Sequence, residues 1–253
     1  MNLESAEKEF LNYTEKYREL GSSCLLKIHH TFRVEELCER IARSLLLSEE
    51  DVQLAKLSGL LHDIGRFEQW KNYQTFSDAD SIDHAQLALF ILNKDNYLEK
   101  YLTDSSLKET LFNSIYYHNK FEVPENLSDR DRLFCNIIRD ADKIDILYLY
   151  TIDEIKVDTQ NEALSPKIYD DLLNGKQIKR SDKQTKADIL SVSLGFVFDI
   201  NYPESFQILE ENDYLNKEID IYKSETENEK LKEQLENIRA KIKTYKRRDR
   251  YVR

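Results

Sequence analysis

Histidine and aspartate carry the chemistry this sequence can do. All five histidines, His29, His30, His62, His84 and His118, fall in one stretch of the chain. His30 stands four residues before Val34 and extends the apolar stripe Val34, Cys38, Ile41. His62 closes an apolar run and is followed directly by Asp63. His84 opens another run, and His118 continues Leu107, Leu111 and Ile115. These four each lie at or near the end of an apolar face, on separate predicted helices. Imidazoles projecting inward from several helices are how bundles build metal sites. Further on, Arg139-Asp140-Ala141-Asp142-Lys143-Ile144-Asp145 sets carboxylates in an otherwise apolar helix. That is costly unless the charges are paired or bind a cation. Taken singly, each residue has an ordinary explanation: a helix-end histidine at the surface, or an aspartate paired with Arg139 or Lys143. Together they point to a metal held by nitrogen and oxygen.

The elements that must position these groups read as helices. Phe10, Tyr13, Tyr17 and Leu20 share one face of a first helix. Val34, Leu37, Cys38, Ile41 and Leu45 form a second stripe. Ser48, three residues before Asp51, is a cap for a third helix running through Leu61. That helix is apolar nearly all round, so it is expected to be central, and Gly59 within it allows close packing or a kink. Residues 65–80 read as a long connection rich in aromatics (Phe67, Trp70, Tyr73, Phe76), and connections of that length often carry function. Ser81 reads as the N-cap of a helix with Ala85, Ala88, Leu89 and Leu92. Leu107 to His118 form another. After Pro124 a long helix is predicted from about Asp129 to Tyr150.

Beyond Asp153 the pattern weakens. Ser165-Pro166 is an N-cap and N1 pair, and Asn174-Gly175 is a turn. The run from Ile189 to Ile200 is expected to be buried, and Pro203 opens a further helix. Leu231, Leu235, Ile238, Ile242 and Tyr245 make two heptads of an amphipathic helix, too few for a coiled coil, and expected to pack on its own domain.

Composition sets the frame. A chain of 253 residues favours one or two domains. Gly 5 and Pro 3 are low counts that argue against turn-dense β folds and low-complexity chains, leaving an all-α class. The net charge of -11 argues against a basic nucleic-acid binder. From Arg239 to Arg253, however, eight cations face Asp249 alone, so this end carries +7 and the rest of the chain -18. A segment such as Lys246-Arg247-Arg248 can hold a phosphate backbone. It equally suits the negative end of a helix dipole, the more ordinary reading. Cys24, Cys38 and Cys135 are an odd, widely spaced set that reads as buried reduced thiols. The first twenty residues lack the regions of a secretion signal. No apolar run approaches the roughly 18 residues that span a bilayer. The expected setting is cytoplasmic, without a membrane partner.

On these residues the chain resembles the HD-domain superfamily of metal-dependent phosphohydrolases, over about residues 25 to 150. The family pattern H…HD…D falls on His30, His62-Asp63 and Asp142. His84 and His118 match the branch with H…HD…H…H…D, which holds two metals. The resemblance implies a compact all-α helical bundle over residues 1–155. Residues 156–253 would be a C-terminal helical extension packed on the same core, with the basic end. It implies that Asp63 bridges two ions, one bound by His30, His62 and Asp142 and the other by His84 and His118. Asp142 is preferred to Asp140 because the family's last ligand stands in an Ala-Asp pair; helical projection leaves the two open. His29 has no role in the pattern.

Imidazole and carboxylate ligands without thiolate suit Mn²⁺, Fe²⁺, Co²⁺, Ni²⁺ or Zn²⁺. One or two such ions can activate a water for in-line displacement at phosphorus. Phosphoryl transfer also needs nearby cations, for which Arg33, Arg66 and Lys143 are candidates, each equally able to form a surface ion pair. Arg66 follows the His-Asp-Ile-Gly turn where the family often has Lys; since Arg does not deprotonate, a proton-donor role is disfavoured. Tyr73 and Thr75, in the aromatic connection, are expected to line a substrate wall or lid, or else the aromatics only pack. The resulting expectation is hydrolysis of a phosphate ester in a nucleotide or small phosphorylated metabolite, with Asp63 and Arg66 in catalytic places. The alternatives are a di-iron oxygenase of the same superfamily, a nucleotide-sensing module without turnover, and a plain helical scaffold. Nucleic acid is a lesser partner candidate, and oligomeric state is open.

Overall fold

A computed structural model describes residues 2–152 and 154–248, with side chains through Tyr245; the basic end at Lys246, Arg247, Arg248, Arg250 and Arg253 lies outside the described side chains. The described residues form helices joined by turns and short 3₁₀ segments, with no strand among them. Contacts divide the chain into two units, Met1–Asp142 and Lys143–Arg253. The division falls inside a helix, thirteen residues ahead of the boundary at 155 suggested by the motifs.

The first unit holds α1 (Leu3–Glu15), α2 (Ser22–Ser44), α3 (Glu49–Leu61), α4 (Ile64–Tyr73), α5 (His84–Asn93), α6 (Lys108–Tyr117) and the start of α7 (Asp129–Thr151). Helix α3 begins where Ser48 accepts the Asp51 N–H at 3.2 Å, and Glu49, Glu50 and Asp51 in its first turn suit the positive end of its dipole. Val52, Leu54, Ala55, Leu57, Leu60 and Leu61 are all buried, so α3 is surrounded, as its sequence predicts. Each fully buried leucine contributes roughly 2 kcal/mol of apolar transfer. Helix α2 runs along α3, and Gly59 permits the approach: a Cβ there would lie 2.9 Å from Glu35 Cα and 3.1 Å from Cys38 Sγ.

Three expectations are corrected in this unit. Residues 64–73 are helix α4, so the connection before α5 is only 74–83. Ile64, Phe67 and Gln69 face inward, and Gln74, in the left-handed region at φ 54°, ends the helix with its N–H on Trp70 O. Ten residues, with a polar one among those buried, give too short an apolar stripe to read. The cap of α5 is Asp83, not Ser81: Asp83 Oδ1 accepts from Ala85 N at 3.0 Å and Gln86 N at 3.2 Å, while Ser81 donates to Ser77 O. Finally, α1 stops at Glu15; Tyr17 is buried past its end and Leu20 is exposed.

The second unit holds the rest of α7, then α8 (Pro166–Leu173), α9 (Asp188–Leu194), α10 (Pro203–Asn212), α11 (Tyr214–Glu225) and α12 (Glu229–Arg248). Pro166 and Pro203 start their helices at N1, where the missing N–H costs nothing. Leu231, Leu235, Ile238 and Ile242 are buried, and α12 packs on α11 and α8 of its own unit. The run from Ile189 to Ile200 is less buried than its composition suggests, with Ile189 exposed and Phe196 and Phe198 half-buried. Asp188 ties the loop ahead of α9 by accepting the N–H groups of Ser165 and Gln184, each at 2.8 Å, and of Thr185 at 3.0 Å.

Candidate metal centre

Five side chains of the first unit converge on Asp63. His30 comes from the middle of α2 and Asp142 from α7. His62 and His118 are the C-cap residues of α3 and α6, and His84 is the first residue of α5. All four histidines and Asp63 are buried.

The two oxygens of Asp63 serve different partners. Oδ2 lies 3.5 Å from both His30 Nε2 and His62 Nε2. Oδ1 lies 3.3 Å from His84 Nε2 and 3.9 Å from His118 Nε2. Asp142 joins the first group, its Oδ1 3.2 Å from His30 Nε2 and 3.8 Å from His62 Nε2. Donor atoms within 4.8 Å of one another thus form the sets His30–His62–Asp63, His62–His118–Asp142 and Asp63–His84–His118. Of the two acids left open by helical projection, Asp142 is the one whose oxygen enters these sets, while Asp140 is buried elsewhere on α7.

The tautomers follow from the outer ring nitrogens. His62 Nδ1 faces Gly59 O at 2.7 Å and His118 Nδ1 faces Ile115 O at 2.6 Å. A carbonyl only accepts, so Nδ1 carries the proton in both rings. Each bond uses a carbonyl three residues back, one of those a helix end leaves unpaired. His84 Nδ1 lies 2.7 and 2.8 Å from the two oxygens of Asp78, which fixes the same tautomer. When His62, His84 and His118 are neutral, the inner Nε2 of each presents a lone pair. Burial, followed by Arg66, lowers the His84 pKa, and burial with the His84 and His62 rings holds His118 well below the usual imidazole range. Yet His84 Nε2 and His118 Nε2 are 2.9 Å apart, and His30 Nε2 and His62 Nε2 3.3 Å. Between neutral His84 and His118 the two facing lone pairs repel unless a cation lies beside them. This donor set fits divalent metal ions, and its nitrogen and oxygen atoms suit the transition series.

The acids are arranged to stay ionised. Burial pushes Asp63 up, but Lys27, His62 and Arg66 outweigh it and hold the carboxyl well below its ordinary value. Asp142 is likewise pushed up by burial and drawn down by His30 and His62.

A polar scaffold holds the ligands in turn. Buried Gln69 donates to Asp78 Oδ1, Ser81 Oγ and Ile82 O, each at 2.9 Å. Arg66 donates to Gln69 Oε1 (2.9 Å), Phe76 O (2.6 Å) and Asp78 Oδ1 (2.9 Å), and its Nε reaches Asp63 Oδ1 at 3.3 Å. Helix α4 thus clamps the 74–83 connection and, through Asp78, orients His84. Asn119 donates to Asp78 Oδ2 and Asp83 Oδ1, each at 3.1 Å. Buried Arg139 closes the end of α6 by donating to Tyr117 O at 3.2 Å, Phe121 O at 3.1 Å and Lys120 O. At Gly65 a Cβ would lie 2.2 Å from His84 O and 2.8 Å from Ala88 N, so α4 crosses α5 against its backbone beside the ligand.

The residues expected to meet substrate are dispersed. Arg66 is half-buried in the clamp just described. Arg33 is half-buried on α2. Lys143 pairs with Asp199 Oδ2 at 2.5 Å. Tyr73 is exposed, and Thr75 Oγ1 accepts the Ser77 N–H at 3.1 Å. His29 is exposed. Sequence reasoning missed Lys27, whose Nζ is 2.7 Å from Asp63 Oδ2, the orienting residues Asp78, Gln69 and Asn119, and the bonds of Arg139 to the carbonyls that end α6. Lys27 precedes His30 by three residues, and Arg33 follows it by three.

Residues 28–147, which span Asp63 and the five side chains around it, match the family model described as HD domain. No curated protein and no solved structure matches the chain.

Proposed function

We propose, from the premise that this chain belongs to the HD-domain family through residues 28–147, that it is a metal-dependent phosphohydrolase. Its substrate would be a phosphate ester of a nucleotide or another small phosphorylated metabolite. The observation that carries the reading is the division of Asp63, with one oxygen toward His30 and His62 and the other toward His84 and His118. A carboxylate placed in this way suits two ions better than one. His30, His62 and Asp142 would hold one ion and His84 and His118 the other, with Asp63 between them. Two such ions, when bound, activate a water and take up negative charge at a phosphoryl group.

The chain's own residues prepare that chemistry. Gly59, Ile115 and Asp78 hold the Nδ1 protons of His62, His118 and His84, leaving Nε2 free to ligate. Arg66 fixes Asp63 through Nε and Asp78 through Nη1, the same Nη1 that also donates to Gln69 and Phe76 O. Arg33 and Thr75 remain candidates for contact with the ester, and the exposed ring of Tyr73 for a base or sugar. The three buried free cysteines suit a reducing, cytoplasmic setting, and no described helix is long and apolar enough to cross a membrane.

The test is elemental analysis of protein purified without chelator or histidine tag, with hydrolysis of simple phosphomonoesters and phosphodiesters under the metal found. About two equivalents of a transition metal and metal-dependent phosphate release are expected. Metal binding without phosphate release, but with oxygen consumption after anaerobic iron loading, would instead indicate the oxygenase branch.

A further inference from the structure

Lys27 and Arg66 both touch Asp63, but they are held very differently. Arg66 is locked into the clamp by Gln69, Phe76 O and Asp78. Lys27 lies on α2 three residues ahead of His30, so the two share a helix face. Among the described residues its ammonium donates to one acceptor, Asp63 Oδ2, at 2.7 Å, and otherwise sits 5.6 Å from the centre of the Phe76 ring. Its side chain keeps 16% of its surface exposed.

That single acceptor is the oxygen which also lies 3.5 Å from His30 Nε2 and His62 Nε2. An ion bound by those rings would need the same oxygen, and an ammonium and a divalent ion repel each other at such a distance. Lysine is a compact, strongly hydrated charge on a flexible stem, so it can leave without disturbing the backbone. The Phe76 face lies beside it as a resting place for the cation.

We propose that Lys27 is an exchangeable cation: it neutralises Asp63 while no ion is bound and, once ions take Asp63, turns to the anionic group of the substrate. The inference rests on the phosphohydrolase reading, which makes that group a phosphate. Ion loading and anion binding are then coupled, and the coupling is reciprocal.

The experiment compares the intact protein with Lys27→Met and Lys27→Arg, using Mn²⁺ and inorganic phosphate as probes. Lys27→Met removes the competitor and should bind Mn²⁺ severalfold more tightly. In its Mn²⁺-loaded form it should bind phosphate about tenfold or more weakly, as loss of a charge-assisted hydrogen bond implies. Lys27→Arg should retain most of the phosphate affinity. The third readout needs no variant: acylation of Lys27 by an amine-reactive reagent, followed by mass spectrometry, should rise when Mn²⁺ is added. Unchanged or weaker Mn²⁺ binding in Lys27→Met, undiminished phosphate binding, or Lys27 reactivity that does not rise would each overturn the proposal. If the unmodified protein takes up no ion, the phosphohydrolase reading and the proposal fall together. If it takes up ions and cleaves phosphate esters while the Lys27 tests fail, only the proposal falls.

Discussion

Asp63 in the first unit and Glu218 in the second are both buried carboxyls, and they reach opposite states. Glu218, on α11, is hydrogen-bonded by Ser193 Oγ, and burial outweighs that bond and pushes its pKa up to about 8. It is an acid that has kept its proton. Asp63 is buried too, yet Lys27, His62 and Arg66 hold its carboxyl well below its ordinary value. The comparison teaches that burial alone neutralises a carboxyl. Keeping one charged takes cations placed around it, and a molecule that provides them beside four inward imidazoles has built a site for cations.

The strongest way to break the comparison is to remove its charged member. Asp63→Ala should lose bound metal and lower phosphate-ester turnover about a thousandfold or more, with helical circular dichroism largely kept. A variant that still held two ions and turned over normally would sink the bridging assignment. Next in size is Gly65→Ala. Its Cβ meets backbone atoms of α5 that cannot rotate aside, so a loss of roughly 3 kcal/mol is expected in denaturant unfolding. Unchanged stability would mean that α4 does not press on α5 as described. Asp78→Asn keeps the shape but removes the charge facing His84 Nδ1 and Arg66. Metal affinity should fall roughly 10- to 100-fold at the His84–His118 end. Equal weakening at both ions, measured by stepwise titration, would deny Asp78 a local role.

The gentlest test concerns the neutral member. Glu218 has a folded pKa near 8 against the ordinary 4.5, so its contribution to stability is fully present below pH 4.5 and is lost as pH rises through 8. Glu218→Gln has no such proton to lose. Its unfolding free energy should fall less steeply with pH across that window than the parent's, with metal content unchanged. Parallel curves for the two proteins would place the titration elsewhere.

What could be read from the sequence follows from how far each signal reaches. His30, His62, His84 and His118 announced themselves because each ends a local apolar stripe, and Asp63 because it adjoins one of them. The cap at Ser48 and the start at Pro203 are likewise local. Helix α4 escaped notice because it is short and buries Gln69 as well as Ile64 and Phe67. The cap at Asp83 lost to Ser81 because two capping types stand two residues apart, and only the path of the connection decides between them. Asp78, Asn119 and Arg139 act across 6, 41 and 22 residues of chain, and spacing says nothing of such partners. The choice between Asp140 and Asp142 was of the same kind: both lie on α7, and what separates them is the position of α2.

Two of the ligands, His62 and His118, hang from the last turns of α3 and α6 by a bond to the carbonyl three residues behind. This makes the end of each helix a fixed datum. Inserting or deleting one residue inside the last turn would swing the imidazole by about 100° and detach it from its carbonyl. The same change upstream of the last turn would move the beginning of the helix instead. Chain length in this fold can therefore drift at helix starts and in the connections 94–107 and 122–128, while the closing turns of α3 and α6 are held to a strict count.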